Sequence, residues 1–207
     1  SYRISDRLGF DLDYFSDTSK RFFYMIRADW QQEDIEGNRY RLGGSVVWRP
    51  TDRLTMSLDC RYTTQDGWLL HRGDSSFATF AANQWSPSLG VDYFVSAKQH
   101  LRFAVQWVAI RAKENLRYEL LVPGSPLTVV MDSGGDANSD FSISRLNVQL
   151  RYRWEIAPLS DLFVVYTQNA SLPSSNDRRG FASMFSETFD NPLAEQLVVK
   201  LRYRFGS

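Results

Sequence analysis

Hydrophobic and polar residues alternate with a period of two along most of this chain, and the last stretch does so most strictly. Leu197, Val199, Leu201, Tyr203 and Phe205 fall on one face there, and Val198, Lys200, Arg202 and Arg204 on the other. Successive strand side chains point to opposite faces, so the pattern predicts a β-strand with one side for an apolar medium and one for water. Leu146, Val148, Leu150, Tyr152, Trp154 and Ile156 repeat it against Asn147, Gln149, Arg151, Arg153 and Glu155. Residues 40–48 and 54–62 do the same, and weaker versions cover 8–14, 22–30, 89–93, 101–107 and 162–166. Together they predict about nine strands in an antiparallel meander, with no helix.

The connections differ in length in a regular way. Tight turns are expected at 16–20, 49–53, 96–100 and 157–161, and long polar loops at 31–39, 71–84, 122–139 and 171–192, where Gly, Ser, Asp, Asn and Pro collect. Short and long connections alternate along the chain, as they do in outer-membrane barrels with short periplasmic turns and long extracellular loops. Two tight turns, 48–54 and 154–162, each combine Trp, Pro, Asp and Leu. Proline presets a turn dihedral and Asp can bond its own backbone, which accounts for the likeness locally.

Composition narrows the medium. The chain has 207 residues, 14% aromatic, with zero net charge and a mean hydropathy of -0.37. No apolar run is long enough for a helical membrane span, but a strand of the observed length suits a tilted crossing. The expected fold is therefore all-β: an antiparallel up-and-down transmembrane β-barrel of the bacterial outer membrane, one barrel domain over 1–207. Its partners would be outer-membrane lipids and, through a C-terminal strand that resembles the signal strand of such barrels, the barrel-assembly machinery. If the last strand ends in the periplasm, an odd strand count starts the first one outside the cell. Barrels usually start in the periplasm with an even count, so the chain is expected to be the C-terminal part of a larger barrel. A soluble β-sandwich or lipocalin-like binder would share this composition and stays open as an alternative.

The polar faces carry many charges, and basic groups outnumber acids. Arg41, Arg49 and Arg102 share this face with Asp11, Asp13, Asp29 and Asp92, while Arg151, Arg153, Lys200, Arg202 and Arg204 form the densest basic group. Such a wall can steer anions or sugars through a wet lumen, or it can be a salt-bridged lining that serves folding alone. Phe163 and Val165 are expected to face the same side, between the two strands that carry the basic group. Arg7 is expected to pair with Asp11 and Asp13. On the apolar side, Tyr14, Trp48, Tyr93, Trp154, Tyr203 and Phe205 gather near the short turns, and Trp30, Tyr40, Tyr62 and Trp85 near the long loops. Two interfacial belts would look like this; plain β-propensity also enriches aromatics in strands.

Signals for chemistry are sparse, and no enzyme activity, cofactor, metal or nucleic-acid partner is expected. The two histidines, His71 and His100, belong to opposite ends of the strands, so a Ser–His triad has no base to use. The single Cys60 excludes an intramolecular disulfide. Asp11 with Asp13, or Asp132 with Asp136, are paired carboxylates that general acid–base work could use. Residues 132–140 place oxygen ligands beside glycines, as a Ca²⁺ loop would, but without EF-hand spacing. Loop 171–192, with Arg178, Arg179, Phe181, Phe185 and Phe189, is long enough to fold into a pore or cover a partner, its rings stacking on sugars or anchoring the loop to the rim.

The segments 151–166 (RYRWEIAPLSDLFVVY) and 197–205 (LVVKLRYRF) together resemble an uncharacterised bacterial outer-membrane family. In that family a carbohydrate-binding-family-nine-like domain precedes a barrel that ends in this pair of motifs. The resemblance implies a barrel part without that N-terminal domain, and it supplies no catalytic residues. The function expected is a porin-like channel for hydrophilic solutes such as sugars or anions. The alternatives are a non-conducting scaffold that anchors a periplasmic domain or a periplasmic or extracellular partner protein, and the soluble sandwich binder.

Overall fold

A computed structural model describes residues 6–122, 124–130, 139–175 and 179–205. The strands are β1 (Gly9–Phe15), β2 (Phe22–Gln32), β3 (Asn38–Thr51), β4 (Leu54–Gly73), β5 (Ser76–Trp85), β6 (Ser88–Ser96), β7 (Gln99–Glu119), β8 (Thr128–Val130), β9 (Phe141–Ala157), β10 (Ser160–Ser174) and β11 (Ala194–Arg202), with one helix, α1 (Phe181–Asp190). All join one sheet in the order β1-β2-β3-β4-β5-β7-β9-β10-β11, and every pairing is antiparallel. The protein is thus all-β, a single antiparallel meander.

Strands β5 and β6 are two halves of one crossing. Both lie between β4 and β7, β5 on the later halves of both toward the long loops, β6 on their earlier halves toward the short turns. Pro87 has no N–H to give the ladder and interrupts it. The neighbours close over the break: Ser86 N–H donates to Arg61 O at 2.8 Å and Trp107 N–H to Pro87 O at 3.0 Å. The four-strand ring that these pairings trace is one interrupted strand between two continuous ones. Among the described residues β1 and β11 are the two sheet edges, each paired on one side.

The short turns fall where the sequence placed them. Asp17 builds the first, accepting from Ser19 N–H at 3.0 Å and from its hydroxyl at 2.7 Å. The long connections need two corrections. Residues 71–84 are mostly strand: the chain reverses at Asp74 and Ser75, with Gly73 (φ +127°) and Asp74 (φ +47°) turning it and His71 already opposite Phe77. The period-two signal vanishes there because both faces are covered; Ala78, Thr79 and Phe80 are all buried in succession. Residues 171–192 contain the last turns of β10 and then α1. The spacing of Phe181, Met184, Phe185, Thr188 and Phe189 is that of an amphipathic helix, and Gly180 opens it in an extended conformation.

Packing is concentrated toward the long-loop end. One cluster joins Ala78, Phe80, Ala82 and Ala112 with Trp68, Leu70 and Phe141. A second joins Trp107, Ala109, Leu146, Val148, Ala170 and Met184, and here α1 supplies the cover.

Candidate functional site

Residues directly opposed in an antiparallel ladder share a face, so the register decides whether the alternation of separate strands adds up. It does. Phe22 opposes Trp48, which opposes Met56, then Val91, Phe103, Leu150, Tyr166 and Leu197, one uninterrupted apolar row from β2 to β11. Away from α1 this face is open: Leu42 is 59% exposed and Leu201 60%. The reverse face is the charged one; on β2 it is the more enclosed, with the Asp29 side chain 14% exposed, while Arg153 and Arg202 toward β11 stay more than half exposed.

On the charged face the acids sit beside the arginines. Asp13 accepts from Arg27 Nε at 2.5 Å, and Asp29 lies 3.3 Å from Arg41. Arg7 pairs with Asp34 in the β2–β3 loop, so the expected partnership with Asp11 and Asp13 does not form. Asp92 bridges His100 (Nε2 to Oδ1, 2.6 Å) and Arg102 (2.7 Å). Asp161, 1% exposed, stands between Arg153 (2.9 Å) and Arg202 and so ties β9, β10 and β11 together. Sequence reading passed over Asp161 as a turn residue, although it shares parity with Phe163 and Val165. Arg49 lies over the Phe23 ring, 5.3 Å from its centroid, and the Arg204 N–H donates to Ser160 Oγ at 3.1 Å.

Arg151 and Lys200 differ from these. Among the described residues neither has a carboxylate partner. Arg151 opposes Arg102 on one side and Val165 on the other; Lys200 opposes Phe163, which opposes Arg153. Arg151 lines a hollow of about 400 Å³ together with His100, Arg102, Tyr152, Arg153, Phe163 and Val165, and Lys200 stands beside it, opposite Phe163. Asp92, Asp161 and Glu155, which lies opposite Asp161, are outnumbered by the basic groups here, and an excess of positive charge with an apolar floor remains near the short-turn end. Such a field favours anions and repels cations.

The aromatic residues also fall into register. Phe10 opposes Trp30, which opposes Tyr40, at the long-loop end. Tyr62 opposes Trp85 with ring centroids 5.2 Å apart. Toward the short turns Tyr14 and Tyr24 meet at 6.0 Å, Trp48 sits opposite Phe22, Trp154 opposite Leu162, and Tyr203 packs on Phe205 at 4.8 Å.

His71 lies at the long-loop end of β4 and His100 at the short-turn end of β7, so the structure keeps them apart. Among the described residues no group of three His, Cys, Asp or Glu side chains is placed to hold a metal. The 132–140 segment lies almost wholly outside the described residues, as do Asp132, Asp136 and Arg178. Within 171–192, α1 packs on the apolar face, with Thr188 Oγ1 2.6 Å from Ser144 Oγ and Gln168 Nε2 donating to Phe189 O at 3.1 Å. Among the described residues no helix is long and apolar enough to cross a membrane, which does not bear on crossing by strands.

These features define a class: an antiparallel all-β protein whose meander is apolar on one face and charged on the other. The chain belongs to the family described as a domain of unknown function (DUF5916), whose model matches residues 1–205. No curated protein and no solved structure matches it.

Proposed function

We propose that this sheet is the wall of an outer-membrane β-barrel, with the apolar face in lipid and the charged face around a water-filled passage for hydrophilic solutes, anions above all. The apolar row unbroken from Phe22 to Leu197 carries the reading. A sheet in water gains by hiding such a row, whereas one in a bilayer gains by showing it. The exposed stretches, such as Tyr40 to Trp48, match the roughly ten residues of a tilted crossing. Aromatics at both ends of those stretches suit the two interfaces, and the alternation of short and long connections suits the periplasmic and outer sides. The basic hollow at Arg151 and Lys200 supplies the preference for anions.

Planar-bilayer recording of the full-length protein under a salt gradient tests this. The expected result is stepwise conductance with a reversal potential on the anion side, moved toward zero by Arg151→Gln with Lys200→Gln. A folded, membrane-inserted protein that never conducts would overturn the channel. It would favour the second reading, a scaffold that holds a periplasmic domain or partner at the membrane. The carboxylates against Arg41, Arg102, Arg153 and Arg202 support that reading, because a paired lining also serves a closed barrel.

A further inference from the structure

The row of aromatics at the long-loop end stops in the middle of the sheet. Tyr62 opposes Trp85, but Trp85 opposes Ala109, Ala109 opposes Ser144, and the neighbouring Leu146 opposes Ala170. The aromatics thus give way to Ala109 on β7, Ser144 on β9 and Leu172 opposite it on β10, with Ala170 one pair nearer the short turns, and α1 sits over this gap. Ala109 and Ala170 are buried beneath it, and Met184 and Thr188 are its sheet-facing side chains. The Thr188 and Ser144 hydroxyls bond to each other, Thr188 Oγ1 also donates to Met184 O at 2.6 Å, and Trp107 Nε1 donates to Ser144 Oγ at 2.9 Å. The small residues are thus a built seat, fully hydrogen-bonded inside.

Helical geometry divides the rest of α1 into two flanks. At 100° per residue, Phe185 and Phe189 lie to one side of the Met184–Thr188 line and Ser183, Glu187 and Asp190 to the other, with Ser186 on the crest opposite the seat. The aromatic flank points toward the middle of the apolar face. Phe185 meets the Trp107 ring edge-on at 5.2 Å, and Trp107 is two residues nearer the short turns than Ala109. Phe189 has its carbonyl on Gln168, below Ala170 on the same strand. The polar flank turns the other way, where Glu187 pairs with Arg179. Phe185, Phe189 and, just beyond the helix, Leu193 stay exposed at 39%, 50% and 71%, and along β11 Glu195, opposite Gln168, separates Leu193 from the exposed Leu197 and Val199.

We propose that α1 is an interfacial helix on the outside of the barrel that completes the outer aromatic belt and lays Phe185 and Phe189 on the acyl chains of the outer leaflet. This rests on the lipid-facing reading above. A short amphipathic helix whose apolar flank is continuous with a lipid-facing surface lies in the interface plane, and aromatic rings favour that depth. It gives the loop a lipid-binding role, on the face opposite the passage.

Site-directed spin labelling of the full-length protein in lipid nanodiscs tests it. Single cysteines replace Phe189, Ser186 and Leu42 in a Cys60→Ala background, and collisions of each label with oxygen and with a nickel chelate are measured. The expected result is an oxygen-to-nickel ratio several-fold higher at 189 than at 186, and highest at 42. Equal, nickel-rich collisions at 189 and 186 with a lipid-like label at 42 would overturn the helix proposal alone. Loss of both oxygen and nickel collisions at 189 would also overturn it, because a protein would then cover the flank. A nickel-accessible label at 42 would sink the lipid-facing reading and this inference with it.

Discussion

Asp161 carries more of the structure than its place after a tight turn suggests. Buried between Arg153 and Arg202, it replaces water for two guanidiniums on two different strands. Asp161→Asn keeps the shape and removes the charge, leaving both arginines facing each other; the expected result is a clear drop in the urea midpoint of the folded protein. Arg151→Gln breaks no pair, so its effect on stability should stay within about 0.5 kcal/mol while ion selectivity changes. Glu33 tests the β2–β3 loop. Burial pushes its carboxyl above the usual glutamate range, with nearby Arg39 opposing the shift, and its Oε1 has no partner among the described residues. A group whose folded pKa is raised contributes stability that is present below its unfolded pKa and lost as pH rises through the folded one. Unfolding midpoints should therefore decline from about pH 4 toward neutrality, and Glu33→Gln should flatten that decline. An unchanged pH profile in the variant would show that Glu33 is solvated like any surface acid.

Among the elements, the β4–β5 hairpin carries one of the buried apolar clusters. Phe80 is fully buried, edge-on to Phe141 at 5.3 Å and under the Arg72 guanidinium. Phe80→Ala should cost about 3–5 kcal/mol, read as a lowered denaturation midpoint. Gly67 lies against the β2–β3 loop so closely that a Cβ would come within 1.8 Å of the Glu36 carbonyl oxygen. Gly67→Ala should displace that loop and raise amide exchange at 33–37 without unfolding the strands below. The same elements show what a sequence discloses. Strands with one polar face, such as β3, β9 and β11, were legible because alternation survives when the two sides meet different media. Residues 77–82 were not, because two covered faces erase the period. The helix at 181–190 was missed because its one stripe is divided between the sheet seat and an exposed flank, so it read as an aromatic loop. Ion-pair partners were the least legible: Arg7 lies close to Asp11 and Asp13 in sequence, yet register carries it to Asp34.

At the scale of the whole molecule, the decisive property is that separate alternations become one surface. A register slip of one residue throws a strand's apolar set to the charged side; the one-residue shifts within β4, β5 and β7, at Gln65/Trp68, His71/Gly73 and Thr79/Phe80, lie toward the long loops and clear of the apolar row from Phe22 to Leu197. The wall so formed has a basic hollow on one side and α1 on the other, which separates a passage from a membrane contact in the proposed barrel. The most direct test is a cryo-EM reconstruction of the full-length protein in lipid nanodiscs. The prediction is lipid density against Leu42, Met56, Leu150 and Leu201, with water reaching Arg151 and Lys200 on the reverse side. Solvent or a second protein layer against that apolar row, with no lipid in contact, would contradict the barrel and return the sheet to the class of soluble sandwiches.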